Sequence, residues 1–363
     1  MPVSAEAQPA LGPAPAAAAP APERIGILLV NSGTPQAPEP RAVRAFLRRF
    51  LADPRVVELP RLVWLPLLYG LVLPLRPRRV ARKYRLIWSP EGAPLRHLSE
   101  ALGAAVSAAL AQRALAPLSL EVAMLYSPPE LEAALARLRA AGARRILALP
   151  LFPQYCGATS GAVFDRTLAG LRGWRALPDL QFISDYHDHP GYIEALRSSV
   201  AEYWQREGRA AHLLMSFHGV PARLTAAGDP YQRQCLATAR LLADELLLQE
   251  GEWSVSFQSR FGPATWLTPA TSDALGELAR RGVRSVSVLC PGFAVDCLET
   301  LEEIALENRD VYLRAGGTRY SYIPALNARP AHAQALAELI VQHCRAWTPL
   351  GPDALVPPRG GSA

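Results

Sequence analysis

Eight short β-rich runs, most of them separated by Ala/Leu-rich stretches of helical period, constrain this chain more tightly than any other feature. They are IGILLV (25–30), EVAMLY (121–126), RILALPL (145–151), LQFISDY (180–186), AHLLMSFH (211–218), WSVSFQS (253–259), RSVSVLC (284–290) and RYSYI (319–323). Strands buried on both faces read as continuous apolar runs, and alternation with helices brings successive strands in parallel. The expected fold class is therefore α/β with mostly parallel sheets. The chain has 363 residues, 50% of them apolar, which is ample for a core and matches the length of two ordinary domains.

The alternation contains an internal repeat. ALARLRAAGARRILALPLF starts at Ala134 and ALGELARRGVRSVSVLCPG at Ala274, and the two align without a gap at an offset of 140. Leu135 matches Leu275, Leu138 matches Leu278, Gly142 matches Gly282, Arg144 matches Arg284 and Leu149 matches Leu289. Each copy reads as an amphipathic helix, a glycine stop and a buried strand. Such units are common in α/β proteins, but the ungapped register points to a duplicated, two-lobed chain. Ligands of open α/β sheets bind outside the carboxyl ends of the strands. The loops PQYCGATSGA (153–162) and GFAVDCLET (292–300), which follow the two copies, should therefore open onto a cleft between the lobes.

A net charge of +6 and a pI near 9.2 raise nucleic acid as a partner. The arginines are scattered, however, and no basic run is interleaved with aromatics, so no nucleic-acid partner is expected. The same balance suits an acidic small molecule or an anionic membrane surface. The five cysteines, Cys156, Cys235, Cys290, Cys297 and Cys344, form no CxxC or other metal spacing. An odd number of dispersed thiols indicates a reducing compartment rather than a disulfide framework. Residues 1–22 are Ala/Pro low complexity without the basic and apolar regions of a signal peptide, and read as a disordered tail, as does 347–363. No segment reaches the roughly 20 apolar residues of a membrane span. The nearest, LVWLPLLYGLVLPL (62–75), is uncharged but interrupted by Pro66 and Pro74, and RPRRVARK follows it. It reads equally as an interfacial lip resting on a bilayer and as a buried core helix.

Two features carry chemistry. Within PGFAVDCLETLEEIALENRD (291–310), Asp296, Glu299, Glu303 and Glu307 recur at spacings of three, four and four, which on an α-helix lines one side with carboxylates. Asp296 follows a strand and stands where an N-cap would. A solvated face is the usual reason for such charge, yet like charges at i, i+4 repel, and the nearest basic residue along the stretch is Arg309, at its end. A row of this kind makes sense where a cation passes along it. The second feature is His218 in MSFHGVP (215–221), at a strand end where Gly219 and Pro221 turn the chain at once. A lone His is more often satisfied inside a core. Its place at a strand end, opposite a carboxylate on another strand-end loop, favours a base or a borderline metal ligand. NSGTP (31–35) is only a weak phosphate-loop signal, and Walker, GxGxxG, GxSxG and HExxH motifs are absent.

These motifs, with others in fixed order, resemble ferrochelatases, which insert ferrous iron into a porphyrin. The resemblance rests on LLVNSGTP (28–35), LFPQY (151–155), SFHGVP (216–221) with GDPY (228–231), FQSRFGPATWLTP (257–269), DCLETLEEI (296–304) and YIPALN (322–327). It implies the chelatase fold: two similar Rossmann-like lobes with parallel sheets around a porphyrin cleft. The implied lobes are 23–172, joined by a C-terminal helix at 328–346, and 173–327. By position, His218, Glu299 and Asp296 are implied as catalytic, and His218, Glu299, Glu303 and Glu307 as metal-contacting. Ser32, Arg76, Arg79, Tyr84, Tyr155, Trp266 and Phe293 are implied as substrate-binding, the two arginines facing propionates, and 62–75 as the lip of the cleft. The implied partners are protoporphyrin IX and ferrous iron, the latter as substrate, with no permanently bound cofactor. The implied location is cytoplasmic, with 62–75 a candidate contact to the inner membrane surface.

The chain also departs from the family pattern. Leu125 stands where many relatives have Arg, and Ser32 where others carry Met. Some members hold an iron–sulfur cluster near the C-terminus, but Cys344 is the one cysteine in that region, so no four-thiolate cluster is expected. In the implied reaction two pyrrole protons must leave a flat, rigid macrocycle, so the site should grip the ring and offer a base on one face. His218 would accept a proton, and Asp296, Glu299 and Glu303 would deliver iron, relay protons or both. Whether His218 acts as base or ligand stays open. Coproporphyrin III as the substrate and a non-catalytic porphyrin carrier are the alternatives.

Overall fold

The structure, a computed structural model, describes residues 24–113, 118–260, 262 and 264–347. The tails expected at 1–22 and 347–363 lie outside these residues apart from Trp347. All eight expected strands form: β1 (Arg24–Asn31), β2 (Leu118–Met124), β3 (Ala143–Pro150), β4 (Asp179–Phe182), β5 (His212–His218), β6 (Trp253–Gln258), β7 (Ser285–Leu289) and β8 (Arg319–Ile323). They build two four-stranded sheets of orders β2-β1-β3-β4 and β6-β5-β7-β8, with every pairing parallel. The second order is the first with four added to each strand number, so the architecture is duplicated as the 140-residue repeat implied. The boundary expected at 172/173 falls short, because β4 pairs with β3 and keeps the first sheet going to Phe182.

The repeat extends to backbone detail. The helices Leu131–Ala140 and Thr271–Arg280 each end at a glycine, Gly142 and Gly282, with φ of 85° in both. Ala141 N–H donates to the Arg137 carbonyl at 2.9 Å and Gly142 N–H to that of Arg139 at 3.0 Å. Arg281 donates to Glu277 and Gly282 to Ala279 at the same two distances. The helix thus closes through a residue in the left-handed region, which glycine adopts without steric cost.

Strand composition decides the layering. Ile25, Ile27 and Leu29 of β1 face one side, while Leu28 and Val30 face the other against Leu138, Ile146 and Val163. In the second sheet Leu213, Met215 and Phe217 join Ile25, Ile27 and Leu29 in a single core shared by both halves, while Leu214 packs outward with Val286, Val288 and Tyr312. Helices Pro94–Ala111, Pro190–Glu207 and Pro330–Cys344 each begin with a proline, whose missing N–H has no partner to lose in a first turn. The last of them packs against the other two, and its Leu336 and Ile340 enter the shared core. Fully burying such a side chain contributes about 1.5–3 kcal/mol.

A fourth apolar cluster forms beneath residues 61–87. Here the chain runs as a helix (Arg61–Leu67), a π-helical turn (Leu68–Val72) and a second helix (Leu73–Ile87). Trp64, Leu68 and Leu73 are buried against Val43 and Leu47. Leu62, Val63 and Leu75 of the same segment are 91%, 63% and 66% exposed. The segment is therefore neither wholly a core helix nor wholly a free lip, because its two faces differ. Pro77 has no N–H for the Leu73 carbonyl, and the Arg44 guanidinium fills the gap at 2.9 Å. No helix among the described residues is long and apolar enough to cross a membrane. Leu125 is buried in the apolar cluster of Val30 and Ala148.

Gly142→Ala and Gly282→Ala meet open space, so their cost is backbone strain alone. Each should destabilise the chain by about 1–2 kcal/mol, equally in the two copies, in urea unfolding. Unequal losses would show that the copies are not energetically equivalent.

Candidate active site

β5 delivers His218 to its carboxyl end, in register with Gln258 of β6. Gly219 follows because nothing larger fits. A Cβ there would stand 2.6 Å from the Gln258 carbonyl oxygen and 3.4 Å from the Trp266 ring. Gly219 N–H donates to that same carbonyl at 2.7 Å, and the Tyr231 hydroxyl donates to the His218 carbonyl at 2.9 Å. The side chain is fixed as well. His218 Nδ1 lies 2.7 Å from the Gly219 carbonyl oxygen, which can only accept, so Nδ1 carries a proton and Nε2 is the nitrogen that a neutral ring leaves open. Phe293 stands 6.4 Å from the His218 ring between centroids, tilted by 47°.

The acidic stretch is not an α-helix. Glu299–Asn308 is a ten-residue π-helix that continues into the α-helix Arg309–Arg314. Hydrogen bonds in a π-helix run i to i+5, a rare geometry found disproportionately at functional sites. The carboxylates consequently have separate surroundings. Glu303 is half-buried, and both its oxygens accept from Ser259: Oε1 from the backbone N–H at 2.7 Å and Oε2 from the hydroxyl at 2.5 Å. Burial pushes the Glu303 carboxyl up from the usual carboxylate range, against the two Ser259 donors and the nearby His218, which hold it down. Glu299 adds to the upward push and has its own carbonyl bonded by Gln258 Nε2 at 3.2 Å.

Glu307 is compensated from another element. Lys83 places its Nζ 2.7 Å from both Glu307 Oε2 and Glu302 Oε2. Glu302 and Glu307 are five apart, the spacing that a π-helix stacks. The expectation that Arg309 offers the nearest cationic relief is thus corrected: the cation comes from residue 83, far away in sequence. Its hydrogen bonds to these carboxylates raise the Lys83 ammonium pKa, overcoming the effect of its partial burial.

Asp296 departs furthest from expectation. It is 4% exposed, and its carboxylate accepts from the Thr300 hydroxyl (2.8 Å), the Tyr322 hydroxyl (2.5 Å), Asn327 Nδ2 (2.8 Å) and the Ala325 N–H (3.3 Å). Its own N–H donates to Asn327 Oδ1 at 2.8 Å. It does not cap the following helix, which starts three residues on. It ties the start of that helix to β8 and the loop beyond. Asn327 reaches this position with φ 49°, and its carbonyl is bonded by His332 Nδ1 at 2.8 Å.

The opposite wall comes from helix Leu73–Ile87, which packs against the π-helix. Tyr84 is buried near Thr34 and Glu299, and burial pushes its phenol well up. Arg76 is half-buried in electrostatic reach of Glu299, and its burial lowers the guanidinium pKa, whereas Arg79 is exposed. Ser32 lies on the loop after β1, its carbonyl bonded by Tyr126 N–H at 3.0 Å. Trp266 bridges Pro221 and lies against Gly219. Tyr155 is tied through its N–H to Gln234 Oε1 at 2.6 Å, with Arg55, Asp229 and Asp165 as charged neighbours. His218, Glu299, Glu303, Phe293, Trp266, Tyr84 and Arg76 thus gather around one region, with Ser32 on the adjoining loop. Asp296 is an anchor behind it, and Glu307 is drawn outward to Lys83.

Sequence reasoning did not assign Ser259, Lys83, Tyr322, Asn327 or Tyr231. Four of these fall inside the quoted motifs FQS, YIPALN and GDPY, so a signal existed without a role. Lys83 closes the quoted basic run RPRRVARK, which carried no link to the carboxylates.

Asp296→Ala should strand several buried donors and lower stability by at least about 2 kcal/mol in denaturant unfolding, more than Glu299→Ala. A change within about 0.5 kcal/mol would refute the anchoring role.

The chain is similar to known proteins over nearly all of the described residues. The family model described as Ferrochelatase matches residues 24–344. A ferrochelatase of Thioalkalivibrio sulfidiphilus is 50% identical over 331 residues, covering 91% of this chain and 90% of the relative. One from Nitrosococcus oceani is 49% identical over 325 residues, covering 90% and 88%. Among solved structures, SirB from Bacillus subtilis with Fe3+ shares the fold at a TM-score of 0.54 and 12% identity, covering 89% of this chain and 97% of that one.

Proposed function

The chain belongs to the ferrochelatase family of metal-inserting enzymes, and we propose that it inserts Fe2+ into protoporphyrin IX, releasing two protons and forming protohaem. The observation that carries this reading is His218, held through Nδ1 at a strand end and facing a helix whose Glu303 carboxylate lies within its electrostatic reach. A base must take pyrrole protons on one face of the ring while carboxylate oxygens hold the hydrated cation, and these are the groups gathered here. Nε2 accepts a pyrrole proton, and the Gly219 carbonyl, already bonded to Nδ1–H, stabilises the resulting imidazolium. Glu299 and Glu303 hold the incoming iron, and each N–H lost from the ring is replaced by a nitrogen–iron bond. Asp296 serves by fixing the helix that carries both, not by moving protons. Phe293, Trp266 and Tyr84 supply apolar walls for the macrocycle, with Ser32 and Tyr155 at its margins. Arg76 and Arg79 lie where its propionates would emerge.

Iron enters this reading as substrate. No iron–sulfur cluster is part of it, since the five cysteines are dispersed in the sequence and Cys344 alone lies near the C-terminus. The apolar outer face of the lip favours protoporphyrin over the more highly charged coproporphyrin III. In an anaerobic insertion assay, His218→Ala should lower kcat/KM by about 10²–10⁴-fold, the scale of a lost general base. The intact chain should prefer protoporphyrin IX. Near-normal turnover by the variant would sink the role of His218. A preference for coproporphyrin III would overturn the substrate, and binding of either porphyrin without turnover would leave a carrier.

The lip also supports peripheral contact with the inner face of an anionic membrane, which fits a cytoplasmic enzyme. Exposed Leu62, Val63 and Leu75 run straight into exposed Arg78, Arg79 and Arg82, so apolar insertion and phosphate attraction act together. Vesicles containing phosphatidylglycerol should co-sediment the chain, and Leu62→Asp with Val63→Asp should weaken this about tenfold or more. Equal sedimentation of the double variant would remove the lip from the account.

A further inference from the structure

Ser259 is the first residue past β6, whose last residue, Gln258, is the register partner of His218. It has φ 64°, in the left-handed region that a non-glycine residue enters at a cost. That conformation turns the backbone N–H and the hydroxyl the same way, and both end on Glu303, at 2.7 and 2.5 Å. One residue therefore holds both oxygens of a carboxylate at the π-helical end of the site. A carboxylate oxygen has room for a second partner beyond the one it already has. Each Glu303 oxygen therefore keeps acceptor capacity beyond its Ser259 donor. A hydroxyl at a surface turn needs no such geometry, and Gly or Asn would adopt this φ more cheaply. The strained backbone is retained together with two donors converging on one functional group.

We propose that Ser259 is a positioning residue for metal delivery: its paired donors aim the remaining lone pairs of Glu303 at the cation beside His218. The inference rests on the reading of Glu303 as an iron-holding carboxylate. Ser259 touches neither iron nor porphyrin and acts only through Glu303. Oriented, charge-assisted hydrogen bonds of this type fix a carboxylate more firmly than neutral ones.

The test is anaerobic steady-state insertion by the full chain, with Fe2+ and porphyrin varied separately, for Ser259→Gly, Ser259→Ala, Glu303→Gln and Ser259→Gly with Glu303→Gln. Glycine removes the hydroxyl and suits the backbone, and alanine removes the hydroxyl while keeping Cβ, so agreement between them excludes loop flexibility as the cause. Both should raise KM for Fe2+ about tenfold and leave KM for porphyrin within twofold. The double variant should match Glu303→Gln alone, because a positioning residue has nothing left to position. An unchanged iron KM in Ser259→Gly, alongside a raised one in Glu303→Gln, overturns the inference but keeps the iron-path reading. A Ser259→Gly effect of the same size in the Glu303→Gln background overturns it in favour of a general structural role. An unchanged iron KM in Glu303→Gln overturns the iron-path reading, and this inference with it.

Discussion

Carboxylates crowded into a half-buried cleft must each find their own compensation, and that constraint organises this site. Two unit charges 6 Å apart repel by about 3 kcal/mol at an effective dielectric of 20, so a bare row of four would resist folding. The protein divides the row. Asp296 is enclosed by hydroxyl and amide donors, Glu303 is held by Ser259, and Glu307 shares Lys83 with Glu302. Glu299 is left on the side of His218, Arg76 and Tyr84. The π-helical winding makes the division workable, since residues five apart stack and can share one cation.

The duplicated fold determines where this happens. The loop after β3 meets the loops after β5 and β7, and the sheets share one core through Ile25, Ile27 and Leu29 with Leu213, Met215 and Phe217. Polar ties cross between the halves at these loops. Asp229 accepts from Gly157 N–H at 2.8 Å and from Tyr231 N–H at 3.0 Å, and the Tyr231 hydroxyl in turn holds the His218 carbonyl. The GDPY stretch therefore couples the loop after β3 to the strand end that carries His218. A rigid seat of this kind suits a reaction in which one lone pair must meet a flat ring.

Residues 61–87 link surface and site. Their inner face packs on Val43 and Leu47, their outer face is apolar and exposed, and Tyr84, Arg76 and Lys83 reach the π-helix. The prolines that break the apolar run sit in a segment whose winding changes from α to π and back. A π-helical turn follows Pro66, and Arg44 bonds the carbonyl that Pro77 leaves open.

The sequence by itself determined the eight strands, the parallel α/β class, the duplication and the placement of His218 at a strand end. These depend on local apolar patterning and on glycine stops, which neighbouring residues encode. It also identified the acidic stretch, but it read the stretch as an α-helical face lacking a cation and read Asp296 as a cap. Only the tertiary structure could decide otherwise. Lys83 lies 219 and 224 residues from Glu302 and Glu307, and Ser259 is 44 from Glu303, so no periodicity relates them. The limit of the first sheet, past residue 172, was likewise hidden, because β4 belongs there only by pairing with β3. Hydrogen-bond partners and charge compensation are set by which elements pack together, and packing is a property of the whole chain.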